Sequence, residues 1–469
     1  HKNRRHAAFC FLYFYDILFE NNFVLYVSSV ILNLPEKTPL LWNNIKFIFI
    51  LSTFLANIII LNFLLEALFS KFSYENKCSK KVTFSNKLNL IIGQDFSLKE
   101  KVIIPEKGLF QNILITGAIG SGKTSSAMYP ITEQLIAYNS NSSINRLGML
   151  ILDVKGNYYN QVLEFAKKYN RLDDVIPIQI AGNYKYNPLD NTALKPSVLA
   201  NRLKTILLLF SPNNTESYWI DKSETALAEA IKLCRLYNNN YVTFSELHNL
   251  ITNKDYYFSK ISFLRKKFLS NSFNRNETHD LLSTINFFEK EFFSLDDRTL
   301  NILKSEITRI TNCFISDSDI FSTFCPNKSE INFSGFSDVI NSGKIVVLNM
   351  NINEYRNLSK IIATYLKLDF QTEVLKQLSN GASTSLKPVA FISDEYSEYV
   401  SATDANFFSQ SRESKCINVV STQSYTSLLN ALNNKYSVEV IVQNLVNKLW
   451  FRSDDMFTIE DAQKQLRKN

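Results

Sequence analysis

With 469 residues, 45% of them hydrophobic and 20% charged, the chain can bury cores for two or three domains, which excludes wholesale disorder. A formal charge of +7 permits an anionic partner such as nucleic acid or lipid, but over this length it does not demand one. The six cysteines (Cys10, Cys78, Cys234, Cys313, Cys325, Cys416) contain no Cys-x-x-Cys pair and the four histidines lie apart from them, which argues against a zinc site or a disulfide framework and fits a reducing compartment for the main body.

The chain opens on two apolar stretches. Residues 7–34 are rich in Phe, Tyr, Leu and Val, but Asp16, Glu20, Asn21 and Asn22 interrupt them. They form the weaker candidate for a membrane crossing, against a signal peptide that lacks a small-residue cleavage site and an amphipathic surface segment. Phe47 to Leu65 read FIFILSTFLANIIILNFLL, 19 residues without a charge. That is close to the ~20 a helix needs to cross hydrocarbon, and core helices seldom stay apolar on every face for so long. Lys71, Lys77, Lys80 and Lys81 follow, and Lys2, Arg4 and Arg5 precede the first stretch. Positive flanks on both sides of two crossings place the main body in the cytoplasm.

Beyond residue 71, short apolar runs alternate with helical stretches. The expected strands are Ile113–Thr116, Met149–Asp153, Val175–Ile180, Lys344–Leu348, Val389–Ser393, Ile417–Ser421 and Lys448–Arg452. Such alternation implies an α/β fold with a mostly parallel sheet covered on both faces. From about Ser197 to Phe336 the period is helical throughout, which reads as an all-helical insertion. The expected layout is a membrane anchor over 1–70, an α/β nucleotide-binding domain over 71–196 and 337–469, and the insertion over 197–336.

Gly117-Ala-Ile-Gly120-Ser-Gly122-Lys123-Thr124 follows the first of these strands and precedes a helical stretch from Ser125 to Ala137, in which Pro130 is expected to bend or end the first part. Three of the chain's 11 glycines fall in this stretch, so the motif is not background. Glycines let the backbone curl until several N–H groups point at one anion, and the helix amino terminus adds a favourable dipole. The motif is a phosphate-binding loop: Gly117, Gly120, Ser121, Gly122, Lys123, Thr124 and Ser125 would hold the nucleotide, with Lys123 on its terminal phosphates and Thr124 on Mg2+.

Such a loop needs a carboxylate on a neighbouring strand. Val389–Ser393 leads into Asp394-Glu395 at a strand's carboxyl end. Asp394 would hold the Mg2+ shell, and Glu395 would orient or deprotonate the attacking water. Met149–Asp153 also ends in a carboxylate, but it runs on into Lys155-Gly156 and reads as an element of second rank, or as a plain strand-to-turn junction. No Asn-Lys-x-Asp motif occurs, which favours ATP over GTP, and no Leu-Ser-Gly-Gly-Gln signature points to a transporter ATPase.

The order Gly117–Thr124, Leu152-Asp153-Val154-Lys155-Gly156, Tyr186-Asn187-Pro188-Leu189, Tyr218-Trp219, Asp394-Glu395, Gln410-Ser411-Arg412-Glu413 and Ser421-Thr422-Gln423-Ser424 resembles the type IV secretion coupling proteins, the TraG/TraD-type conjugation ATPases. The resemblance runs from about residue 100 to the end. It implies a RecA-like P-loop domain with an all-helical insertion, an amino-terminal anchor in the bacterial inner membrane, and homo-hexamers with ATP at subunit interfaces. It also implies a cargo of single-stranded DNA with an attached relaxase, or of protein effectors, passed to the components of a type IV secretion channel. By the same resemblance Arg412 occupies the place of an arginine finger reaching a neighbour's γ-phosphate, and Gln423 that of a sensor glutamine. Asp153-Val154-Lys155-Gly156 departs from the family's usual Asp-Pro-Lys-Gly.

Lys260, Arg265, Lys266 and Lys267, interleaved with Phe263 and Phe268, form a basic cluster of the kind that contacts phosphates, although a basic helix face is more often only solvated. Two alternatives to a coupling protein stand beside the resemblance: a duplex DNA pump of FtsK/HerA type, and a nucleotide-binding docking receptor with little turnover.

Overall fold

The computed structural model describes residues 87–469 except 143–144, 154, 211–216, 270–272, 380–385 and 467–469, together with scattered positions between 36 and 62. It divides into two units, residues 1–83 and 84–469. In the first unit, Phe47, Ile48, Leu51, Phe54, Ile58 and Leu61 are helical and exposed. The rest of the 47–65 segment and all of 7–34 lie outside the described residues, and among the described residues no helix is long and apolar enough to cross a membrane.

The second unit is built on a seven-stranded sheet of β3 (Ile113–Thr116), β4 (Gly148–Leu152), β5 (Val175–Ile178), β6 (Ile345–Leu348), β7 (Val389–Ser393), β8 (Cys416–Thr422) and β9 (Asn447–Trp450). Its order is β5-β6-β4-β7-β8-β3-β9, and every pairing is parallel. All seven expected strands are in it. The near-continuous apolar runs of β3 to β8 mark strands covered on both faces, whereas β9, Asn447–Trp450, is half-buried at the sheet edge. Side chains alternate between two cores: Ile113, Ile115, Met149, Ile151, Ile345 and Val347 face one, and Leu114, Leu150, Leu152, Val346 and Leu348 the other.

The first core is closed by α1 (Tyr129–Ala137), by α2 (Tyr158–Lys168) and by an antiparallel hairpin of β1 (Asn89–Gln94) and β2 (Lys101–Pro105), which lies outside the main sheet. The helical stretch after the glycine-rich loop is not uniform. Thr124–Met128 form a π-helical turn, closed by Tyr129 N–H on Thr124 O, before α1 begins. Pro130, which has no N–H to give, stands just inside α1.

Between β5 and β6 the described residues form helices and turns: α3 (Pro196–Phe210), α4 (Ser217–Tyr237), α5 (Phe244–Thr252), α6 (Lys254–Leu269), α7 (Arg275–Asn286), α8 (Asp297–Ile315), α9 (Ser318–Phe324) and α10 (Phe336–Ser342). Local signals start several of them. Asn274 and Glu277 form a reciprocal capping box on α7, and Phe244, Leu247, Leu250 and Ile251 make a buried stripe at helical spacing on α5. The long α11 (Ile352–Ser379), kinked at Arg356, joins β6 to β7 and packs on α3, α8 and β4. Then come α12 (Asp404–Gln410), α13 (Tyr425–Leu432), α14 (Lys435–Asn444) and α15 (Met456–Leu466).

Candidate functional site

The loops after β3, β4, β7 and β8 leave one edge of the sheet, its carboxyl edge, because the strands are all parallel. Beside a topological switch point this is where α/β sheets bind ligands. The glycine-rich loop rises from β3. Gly120 and Gly122 take φ of 75° and 94°, the left-handed region that side chains rarely enter. Gly117 is needed for a different reason: a Cβ there would stand 2.5 Å from Phe451 Cβ and 2.8 Å from Ser121 Oγ. The chain after β9 closes over the loop, with Ala118 N–H on Arg452 O at 2.7 Å.

Lys123 is buried and folds back to donate to Gly117 O at 2.6 Å. Ser121 Oγ is buried without a hydrogen-bond partner among the described residues. An enclosed cation, an orphaned hydroxyl and a left-handed glycine loop at a helical amino terminus form a cradle that fits a phosphate chain. Ser125 Oγ donates to Gly122 O at 3.3 Å, within the loop itself.

Thr124 Oγ1 donates to Asp394 Oδ2 at 2.8 Å. A hydroxyl and a carboxylate meeting beside a phosphate cradle are hard oxygen donors of the kind Mg2+ takes, with water and phosphate completing the shell. β8 lies between β3 and β7, and its Ser421 hydroxyl holds the other oxygen, Asp394 Oδ1. Asp394 N–H is tied to Leu152 O of β4 at 3.0 Å.

Glu395 has left-handed backbone, φ 49° and ψ 48°, which for a non-glycine residue costs on the order of 1–3 kcal/mol and recurs at functional sites. Its carboxylate is held from both sides. Lys155 Nζ, from the loop after β4, lies 3.3 Å from Oε1, and Gln423 Nε2, directly after β8, lies 3.3 Å from Oε2. Burial works against the Lys155 charge, but Glu395, then Asp394 and Asp153, outweigh it and raise its pKa above the ordinary lysine value. Asp153 is buried and accepts from Lys155 N–H at 3.1 Å and Tyr158 N–H at 3.2 Å, so it starts α2 and fixes the Lys155 turn. Burial pushes its carboxyl up, against those two hydrogen bonds.

Of the residues expected to bind nucleotide or Mg2+ or to take part in hydrolysis, all lie at this edge except Arg412. It sits in the turn that enters β8, exposed, and among the described residues its side chain makes no ion pair. The seven residues of β8 separate it from the carboxyl edge by about 20 Å. Two contributors are not legible as partners in the sequence: Ser421, whose place beside β7 follows only from strand order, and Lys155, whose one sequence signal is its position after a strand-terminal Asp. The basic cluster lies on α6. Lys260 stands over the rings of Tyr237 and Tyr256, Lys267 over Phe273, and Arg265 pairs with Glu289 at 3.1 Å, so most of its charge has partners within the chain.

No family model matches the chain, and no curated protein matches it. Solved structures do. The bacterial conjugative coupling protein TrwBdeltaN70 in unbound form superposes with a TM-score of 0.51 at 12% identity, over 81% of this chain and 76% of that one. The plasmid coupling protein TrwB with ADP and Mg2+ gives 0.51 at 14% over 80% and 78%, and TrwB with the GTP analogue GDPNP gives 0.51 at 14% over 77% and 76%. The chain shares its fold with these structures. At these identities the likeness shows the fold alone, an α/β architecture with a mostly parallel sheet.

Proposed function

We propose that the chain is a coupling-protein ATPase of a type IV secretion or conjugation system: a motor that binds ATP with Mg2+ and uses hydrolysis to drive cargo into the secretion channel. The observation that carries this reading is Glu395, strained at the end of β7 and gripped by Lys155 and Gln423 one residue beyond the Thr124–Asp394 contact. A docking receptor needs a cradle for phosphate, but it has no use for a second, positioned carboxylate.

Gly117, Gly120, Ser121, Gly122 and Ser125 shape the phosphate cradle, and Lys123 leaves Gly117 O to meet the terminal phosphates. Thr124 and Asp394 would hold Mg2+, which when bound would supply positive charge beside the phosphates. Glu395 orients the attacking water and accepts its proton, with Gln423 fixing one carboxylate oxygen. Arg412 stands too far from its own cradle to act there, so it serves the site of a neighbouring subunit in a homo-hexamer, as an arginine finger. TrwB was obtained with both ADP and a guanine analogue, and the absence of an Asn-Lys-x-Asp motif favours ATP here.

The apolar segment 47–65 anchors the chain in the inner membrane, with the α/β body over 71–196 and 337–469 in the cytoplasm and the helices of 197–336 as its insertion. The cargo is single-stranded DNA with a relaxase, or protein effectors. Expression of the full chain, fractionation of membranes and mild detergent extraction test this part. The reading expects the chain in the membrane fraction, with a DNA-linked or effector protein retained only when Lys123 is intact. A chain that stays in the soluble fraction sinks the anchor.

A further inference from the structure

Several charges are buried in the second unit outside the nucleotide site, among them Arg171, Arg202, Lys367 and Asp404. Lys367 of α11 and Asp404, the first residue of α12, are fully buried, with Nζ 2.5 Å from Oδ2. The pair is completely satisfied. The lysine ammonium has three protons and gives them to Tyr399 O at 2.6 Å, Ser401 Oγ at 3.1 Å and Asp404. Asp404 Oδ2 also accepts from Tyr396 Oη at 2.5 Å and Ser401 N–H at 3.0 Å, while Oδ1 accepts from Gln371 Nε2 at 2.9 Å. Burial pulls the Lys367 pKa down, against the attraction of Asp404. A buried ion pair adds little net stability over well-packed apolar side chains, so stability alone is a weak reason for one.

Its position supplies another reason. Every group it gathers between Tyr396 and Asp404 belongs to the segment that starts at Glu395. The same face of α11 reaches this segment a second time: Lys360, seven residues before Lys367, pairs with Glu398 at 2.6 Å. The far end of α12 leads through Ser411, whose hydroxyl accepts from Asn418 Nδ2 at 2.9 Å, directly to Arg412. One buried node therefore ties the turn that strains Glu395 to the helix that presents Arg412. α11 is also tied to the helical segment. Its Asp369, two residues past Lys367, pairs with Arg202 of α3 and accepts from Tyr186 Oη at 2.8 Å.

We propose that Lys367 and Asp404 are a positioning pair for hydrolysis, which makes the water-orienting Glu395 and the arginine offered to the next subunit move as one body fastened to α11. This rests on the ATPase reading above. Neither residue touches nucleotide. Each acts through the turn and the helix it joins.

The test uses the full chain with Asp404→Asn, Lys367→Met, and the double variant Lys367→Met/Asp404→Leu, which fills the same space without charge. The expected result is a kcat lowered about tenfold to a hundredfold in all three, as for a small misplacement of catalytic groups, with the KM for ATP unchanged. The double variant is expected to be more stable than Lys367→Met, because no buried charge is left unpaired, but not to recover kcat, because Tyr396 Oη, Ser401 N–H and Gln371 Nε2 have lost their acceptor. A double variant that recovers kcat together with stability, or an Asp404→Asn chain with normal kcat, overturns the proposal. Amide exchange provides an arm that needs no turnover. A non-hydrolysable ATP analogue is expected to protect residues 395–412 as one unit in the parent chain, and to protect only their first part in Asp404→Asn. Protection that is the same in both chains overturns the proposal as well. A parent chain that binds the analogue without hydrolysing ATP sinks the ATPase reading alone, and the exchange arm then still decides the pair.

Discussion

Thr124 Oγ1 and Asp394 Oδ2 lie 2.8 Å apart although 270 positions separate them in the chain. The contact joins the end of the phosphate loop to the end of β7 across the width of β8, and it puts Glu395 one residue from the cradle. The first prediction concerns that residue. Glu395→Gln keeps the shape of the side chain and removes its basicity. ATP binding, read by equilibrium dialysis or fluorescence titration, is expected to stay within about twofold, while kcat falls by about 100- to 10,000-fold. Full turnover in this variant would remove Glu395 from the water-orienting role.

Arg412 and Lys123 belong to different sites if the interface account holds. Each single variant, Arg412→Ala or Lys123→Ala, is expected to lose hydrolysis, by about 1,000-fold or more for an arginine finger. Mixed assemblies contain some interfaces with an intact Lys123 on one side and an intact Arg412 on the other. Titrating one variant against the other is expected to recover activity, with a maximum at intermediate ratios. No recovery at any ratio, with both variants assembling, contradicts the placement in trans.

Gly117→Ala tests the closure of the cradle rather than its charge. The added Cβ meets Phe451 Cβ at 2.5 Å and Ser121 Oγ at 2.8 Å. The crowding is expected to cost about 1–3 kcal/mol and to displace the chain after β9 from the loop. Thermal melts with and without ADP check this: a smaller nucleotide-induced shift is expected than in the parent.

The Lys155–Glu395 pair carries a pH prediction. The Lys155 pKa is raised in the folded chain, with burial opposing the shift and Glu395 the main cause of it. A lysine raised on folding contributes fully below its unfolded value of ~10.4 and loses that contribution as pH rises through the higher folded value. The pair is therefore intact across the neutral range. Lys155→Met is expected to change the height of the pH–rate profile between about pH 6 and 9 but to add or remove no limb there. A limb that vanishes in the variant would contradict this.

Much of this architecture can be read from residue order alone. Strands such as Ile113–Thr116 and Val389–Ser393 carry apolar residues on both faces, so their burial shows without alternation, and each ends in the residues that matter. The β1–β2 hairpin was not legible. Its strand Lys101–Pro105 is largely exposed, and its return is set by an Asp95 carboxylate on the N–H groups of Ser97 and Leu98, a local turn rather than a pattern. Strand ends also shifted: Val175–Ile180 stops at Ile178, because pairing with β6 ends at Leu348. Ser421 and Lys155 were hidden for the same kind of reason. Their partners are chosen by the order β4-β7-β8-β3, which no local stretch of sequence encodes.

As proposed, the chain turns over ATP as a motor whose cargo is single-stranded DNA with a relaxase, or protein effectors. Steady-state ATP hydrolysis by the purified full chain, with Mg2+ and with or without single-stranded DNA, tests it most directly. Mg2+-dependent hydrolysis is expected to rise when DNA is added and to disappear in Glu395→Gln. Firm nucleotide binding with no turnover under either condition would contradict it and leave the chain as a docking receptor.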